Sequence, residues 1–177
     1  MRGATSLGFK NLTMDNWLEP DRISSSFVRI SPDDGQAHAI SGNDYVRSIL
    51  KPKLIEGVPT DVRALFEVAR GALVYGYFFY PLYTLAAEQL FRVMETAATL
   101  KCDIIGAPRN VTNFKQKIEY LCRKEVISEQ QKARWHAARE LRNIASHPQR
   151  QSIYPPGQAV GILERVAGQV NSLFSNA

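Results

Sequence analysis

A chain of 177 residues, 45% hydrophobic and 22% charged, is the size and composition of one ordinary domain with enough apolar residues to build a core. Its two cysteines, Cys102 and Cys122, lie 20 residues apart with no CxxC pair and no nearby histidine, which excludes a disulfide framework and a structural zinc site. The net charge of +5 is concentrated: residues 101–150 hold 11 Lys/Arg against 5 Asp/Glu, a balance of +6, while the other 127 residues hold 11 against 12, a balance of −1. Such a bias favours an anionic partner, with nucleic acid foremost.

Residues 1–40 read as an irregular extension, because Glu19-Pro20-Asp21, Ser24-Ser25-Ser26 and Ser31-Pro32-Asp33-Asp34-Gly35 are turn chemistry. Lys10, Asp15 and Asp21 interrupt any secretory signal there. Phe27–Ile30 suits one short strand with no evident pairing partner. From residue 41 to 177 the pattern is helical. A short helix is expected over Asn43–Leu50, ending before Pro52. The next opens at an N-cap formed by Thr60-Asp61 and runs through Leu65, Phe66, Ala69, Leu73 and Tyr77 until Pro81 ends or kinks it.

A third helix over Pro81–Lys101 should bury Leu82, Leu85, Ala86, Leu90, Val93 and Ala97, with Glu88 and Arg92 as an i,i+4 pair. Gly71 to Ala87 holds 17 uncharged residues, too few to span a bilayer and broken by Pro81 and two glycines. Core helices in a cytoplasmic protein without membrane contact account for it. The aromatic cluster Tyr75, Tyr77, Phe78, Phe79, Tyr80 and Tyr83 belongs to the core and to a dimer interface. Asn113 with Gln116 and Ser128 with Gln131 are capping boxes for helices over Asn113–Arg123 and from Glu129 to about Ser146. Pro155-Pro156 starts the last helix, with Val160, Leu163, Val166, Ala167, Val170, Leu173 and Phe174 inward. The class that follows is all-α: an antiparallel helical bundle with an irregular N-terminal extension.

The helix after Ser128 carries the chemistry. With Leu141 at the centre of its buried face, Ala137, Ala138, Ile144 and Ala145 fall within about 60°. His136, Arg139, Glu140, Arg142, Asn143, Ser146 and His147 then form a polar face able to handle a phosphate and a proton. Arg142 and His147 are about 140° apart on an ideal helix. Pro148 pushes the residue before it out of helical geometry, which lets His147 swing towards Arg142. No HExxH, P-loop or paired-carboxylate cluster calls for a metal or other cofactor.

Leu141-Arg142-Asn143-Ile144-Ala145-Ser146-His147-Pro148 resembles the Arg-x4–6-His signature of the HEPN superfamily, and Ala69–Ala97, above all Tyr83-Thr84-Leu85-Ala86-Ala87-Glu88, resembles its central helix pair. The resemblance implies a dimeric, metal-independent endoribonuclease, a toxin or defence effector with RNA as substrate and an antitoxin or other protein as partner. It implies that His147 is the general acid/base for attack of the ribose 2′-hydroxyl, Arg142 stabilises the transition state and Asn143 orients the phosphate or the histidine. Glu88, Arg139, Ser146 and His136 are the supporting or binding residues. Some toxin-type members carry a tyrosine two residues after the histidine; Gln149 stands there instead, which speaks against regulation by modification of that side chain. The alternative is a helical module of the same family that binds RNA, a nucleotide or a protein without catalysis.

Overall fold

The computed structural model describes residues 9–145 and 154–175. They form an all-α bundle: α1 (Arg22–Ser25), β1 (Val28–Ile30), β2 (Ala37–Ala39), α2 (Gly42–Leu50), α3 (Thr60–Tyr75), α4 (Leu82–Ile104), α5 (Phe114–Arg123), α6 (Glu129–Ala145) and α7 (Pro156–Phe174). The capping boxes stand as expected, Asn113 with Gln116 before α5 and Ser128 with Gln131 before α6. Thr60, by contrast, is the first helical residue of α3; Pro59 occupies its N-cap and no side chain caps that end.

α4 is the central helix, packed by α3, α5, α6 and α7. That explains its composition. Ala86, Leu90, Val93 and Ala97 are buried as expected, but so are Phe91, Met94 and Ala98 around the axis. Leu85 is not: it is 54% exposed, because among the described residues no helix lies over the α4 strip bearing Leu85 and Arg92. No helix among the described residues is long and apolar enough to cross a membrane. The uncharged stretch is instead the corner between α3 and α4. Gly76 is required there, since a Cβ would collide with the Tyr83 ring.

The extension is more ordered than its turn-rich sequence suggests, and it docks on this corner. β1 pairs antiparallel with β2, Val28 opposite Ala39 and Ile30 opposite Ala37, so the expected strand has a partner. Phe9 meets Phe79 edge-on, Phe27 stacks on Tyr80, and α2 adds Tyr45 against Tyr77 and Tyr83. The extension and α2 therefore cover much of the aromatic cluster within one chain, leaving Tyr75 64% exposed. Burial raises the Tyr45, Tyr80 and Tyr83 hydroxyls above their ordinary range, and the Tyr45 hydroxyl donates to the Leu73 carbonyl.

Asp21 pins the dock. It is almost fully buried; its carboxylate accepts from the Ile23 amide at 3.0 Å and the Tyr80 amide at 3.2 Å, and its own N–H donates to the Tyr77 carbonyl. Asp21→Ala should leave the buried Tyr80 N–H unpaired and lower unfolding free energy by about 1–3 kcal/mol, read from urea denaturation. An effect within error would mean that the corner does not depend on this contact.

Candidate functional site

The buried face of α6 is not the one centred on Leu141. Trp135 is 1% exposed and Ala138 6%, whereas Leu141 is 37% exposed and Ala137 lies at the surface. Taking Trp135 as the centre, Arg142 falls only about 20° away and Leu141 about 120° away. One indole buries on the order of 150–250 Å², far more than any one alanine of the other side, and Leu141 remains at the rim. Trp135 therefore sets the rotation of the helix. Arg142 consequently faces α4 instead of standing opposite the packing side.

There its Nε donates to Glu95 Oε2 at 3.0 Å, while its Nη1 reaches Asn143 Oδ1 at 3.4 Å. Glu95 side-chain exposure is 28% and that of Arg142 is 40%, so the pair is partly desolvated and stronger than a surface pair. Beside it lies a cavity of about 540 Å³ between α3, α4 and α6, walled by Leu65, Glu88, Gln89, Arg92, Thr96, Thr99, Leu100 and the Arg142–Glu95 pair. Two guanidinium groups and two carboxylates share this wall. It suits a ligand carrying both anionic and hydroxyl groups.

Glu88 lines the cavity, but the acid that pairs with Arg142 is Glu95, and among the described residues no ion pair joins Glu88 to Arg92. The sequence holds a signal for Glu95: Glu88, Arg92, Glu95 and Thr99 recur four, three and four residues apart, a polar stripe along an otherwise apolar helix. Asn143 is exposed beside Arg142. Ser146, His147, Pro148 and Gln149 lie outside the described residues.

His136 and Arg139 are not brought to the cavity. His136 Nε2 stands 3.0 Å from Glu119 on α5, and Lys132 bridges the same carboxylate at 3.0 Å. Arg139 meets Glu140 at 3.2 Å, and its buried Nε has no acceptor among the described residues. The two Glu119 contacts tie α6 to α5. Hydrogen bonding from Lys132, helped by His136, holds Glu119 below the usual glutamate range. The unfolded chain thus takes up this proton first as pH falls. Stability should decline from the ordinary glutamate value down through the lowered one. In Glu119→Gln this part of the pH dependence should vanish from acid-denaturation curves; an unchanged slope would remove Glu119 as its source.

Among the described residues no group of three His, Cys, Asp or Glu stands together as metal ligands would. Both thiols are free, and burial pushes Cys102 up to about 11 and raises Cys122 as well, which keeps them protonated and unreactive near neutral pH.

A family model described as a domain of unknown function (DUF4145) matches residues 74–170, more than half of the chain. The chain belongs to the DUF4145 family. The DUF4145 region runs from the end of α3 into α7 and so includes Glu95, Arg142 and His147, whereas the extension, α2 and most of α3 precede it. Comparison with curated proteins and with solved structures finds no match.

Proposed function

We propose that this protein is a metal-independent endoribonuclease of HEPN type, acting as a toxin or defence effector on RNA. The observation that supports this best is the placement of Arg142: turned to α4, held by Glu95, on the wall of a polar cavity. Its sequence partner His147 follows two residues after the last turn of α6. In this reading His147 removes the proton from a ribose 2′-hydroxyl. The 2′-oxygen bonds to phosphorus, the bond to the 5′-oxygen breaks, and that oxygen leaves as a hydroxyl once protonated. Arg142 neutralises the charge that builds on the phosphoryl oxygens, which is worth most in a partly desolvated site. Asn143, bonded to Arg142, orients the phosphate. The products are a 2′,3′-cyclic phosphate and a 5′-hydroxyl.

The homodimer belongs to the same proposal. Val68, Tyr75 and Leu85 are 61%, 64% and 54% exposed on the outer sides of α3 and α4, beside the Arg142 cavity. Pairing across that surface would set two cavities side by side. The test of activity is cleavage of RNA in EDTA by the wild type, Arg142→Ala and His147→Ala.

The second reading is a HEPN-like module that binds RNA, a nucleotide or a protein without cleaving it. The Glu95 carboxylate favours it, since it already neutralises much of the Arg142 charge. No cleavage by the wild type would decide for this module. In the catalytic reading Glu95 is a positioning residue acting through Arg142. Glu95→Ala then lowers kcat by about tenfold with KM little changed, and adds almost nothing in an Arg142→Ala background. Additive losses would separate the two residues.

A further inference from the structure

A carboxylate is out of place in a cavity that takes a phosphate, and the Arg142 cavity has two of them. Glu95 is accounted for, since it accepts from Arg142 Nε at 3.0 Å. Glu88 is not. It is half-buried in the cavity wall, and among the described residues its carboxylate takes part in no hydrogen bond or ion pair, although Arg92 stands four residues on along α4. An acid left unpaired beside a polyanion weakens binding by repulsion unless it meets a donor on the ligand.

The neighbours of Glu88 narrow down that donor. Gln89, next to it in the same wall, is also half-buried, and its amide makes no hydrogen bond among the described residues. Thr99, by contrast, is occupied: its hydroxyl donates to the Glu95 carbonyl at 2.8 Å and accepts from Lys117 Nζ at 2.9 Å. Glu88 precedes Glu95 by two helical turns, which puts the two about 20° apart around α4 and roughly 10 Å apart along it. Glu88 thus lies on the same side of the helix as the Arg142–Glu95 pair, with Arg92 between them. A phosphate held at Arg142 and Arg92 leaves a base of the same strand to extend towards Glu88 and Gln89.

We infer, on the reading of this cavity as an RNA site, that Glu88 and Gln89 form a guanine subsite, with Glu88 as the specificity-determining residue. Of the RNA bases only guanine sets two N–H donors, N1–H and the N2 amino group, next to each other on its Watson–Crick edge. An ionised carboxylate accepts from both at once. The O6 acceptor follows on that edge and takes a donor from the Gln89 amide. Adenine and cytosine place one amino group beside a bare ring nitrogen, whose lone pair would face the carboxylate, and uracil has one N–H between two carbonyls. A site built on the N–H groups of one base rejects the others because its own acceptor is then left unpaired.

Binding of 2′-O-methyl strands, which lack the attacking hydroxyl, tests the subsite apart from cleavage. A uridine tract with one central guanosine should bind the wild-type protein about tenfold more tightly than the same tract with adenosine there. Inosine, which is guanosine without the N2 amino group, should lose most of that advantage. In Glu88→Gln the guanosine and adenosine strands should bind within about twofold of each other, while the plain uridine tract keeps its affinity or gains a few-fold from the removed charge. That retained affinity also shows the variant to be folded. A shift of all strands alike in Glu88→Gln, no preference for guanosine in the wild type, or no binding of any strand would overturn the subsite. Cleavage in EDTA is scored separately. Guanine preference without cleavage removes the ribonuclease and keeps the subsite, and cleavage without guanine preference does the reverse.

Discussion

Arg142→Ala should cut RNA cleavage by about 10²–10³-fold, and His147→Ala by about 10²–10⁴-fold, in assays containing EDTA. The arginine loss is expected in kcat more than in KM. Its charge matters most when the phosphoryl oxygens gain charge on the way to the transition state, and less in the ground state, where Glu95 already satisfies the Nε. The double variant should be scarcely worse than the weaker single one, because an acid/base group and an electrostatic stabiliser of one transition state act as a unit. RNA binding gives the complementary measurement. With 11 Lys/Arg between residues 101 and 150, most of the phosphate contacts remain in Arg142→Ala, so affinity should change by only a few-fold. Loss of binding equal to the loss of cleavage would make Arg142 a binding residue.

The largest effect on stability should come from Trp135→Ala. The indole is fully buried where α6 meets α4 and α5, and its removal leaves a cavity that neighbouring helices fill only in part. About 3–5 kcal/mol of unfolding free energy is at stake, a large fraction of what a domain of this size possesses. Leu141→Ala, by contrast, should cost about 1 kcal/mol or less, since that side chain is 37% exposed. Urea denaturation of the two variants decides between the rotations of α6. If the leucine variant were the more damaging, Arg142 would no longer face Glu95, and the cavity would lose its guanidinium wall.

That rotation shows where sequence reading succeeds and where it stops. The starts of α5 and α6 are legible because a capping box is local: Asn113 or Ser128 and a glutamine three residues on satisfy each other without help from the rest of the chain. The all-α class is legible because period-3.6 patterns recur along most of it. The buried face of α6 is not, because it depends on which side chain gains most from burial. Counting several small apolar residues around Leu141 outweighs one Trp135 on paper and loses to it in the fold. Leu85 fails for a related reason: its helical period matches the core, but among the described residues no element packs over that side of α4. The Ala37–Ala39 strand is three residues long and exposed throughout, too short for a pattern to reveal it, and is defined only by its register with β1. At the site, Arg142 is legible as a residue. Its partner Glu95 lies 47 positions earlier, and only the crossing of α4 by α6 brings the two together.

The most direct test of the central claim uses the wild-type protein alone. Purified protein is incubated in EDTA with a defined RNA, and with the same RNA carrying a 2′-deoxyribose at the cleaved position, and the product ends are identified by mass spectrometry. A 2′,3′-cyclic phosphate and a 5′-hydroxyl from the first substrate, with no cleavage at that position of the second, is the predicted result. Intact RNA in EDTA, or cleavage that proceeds past the missing 2′-hydroxyl, would contradict it.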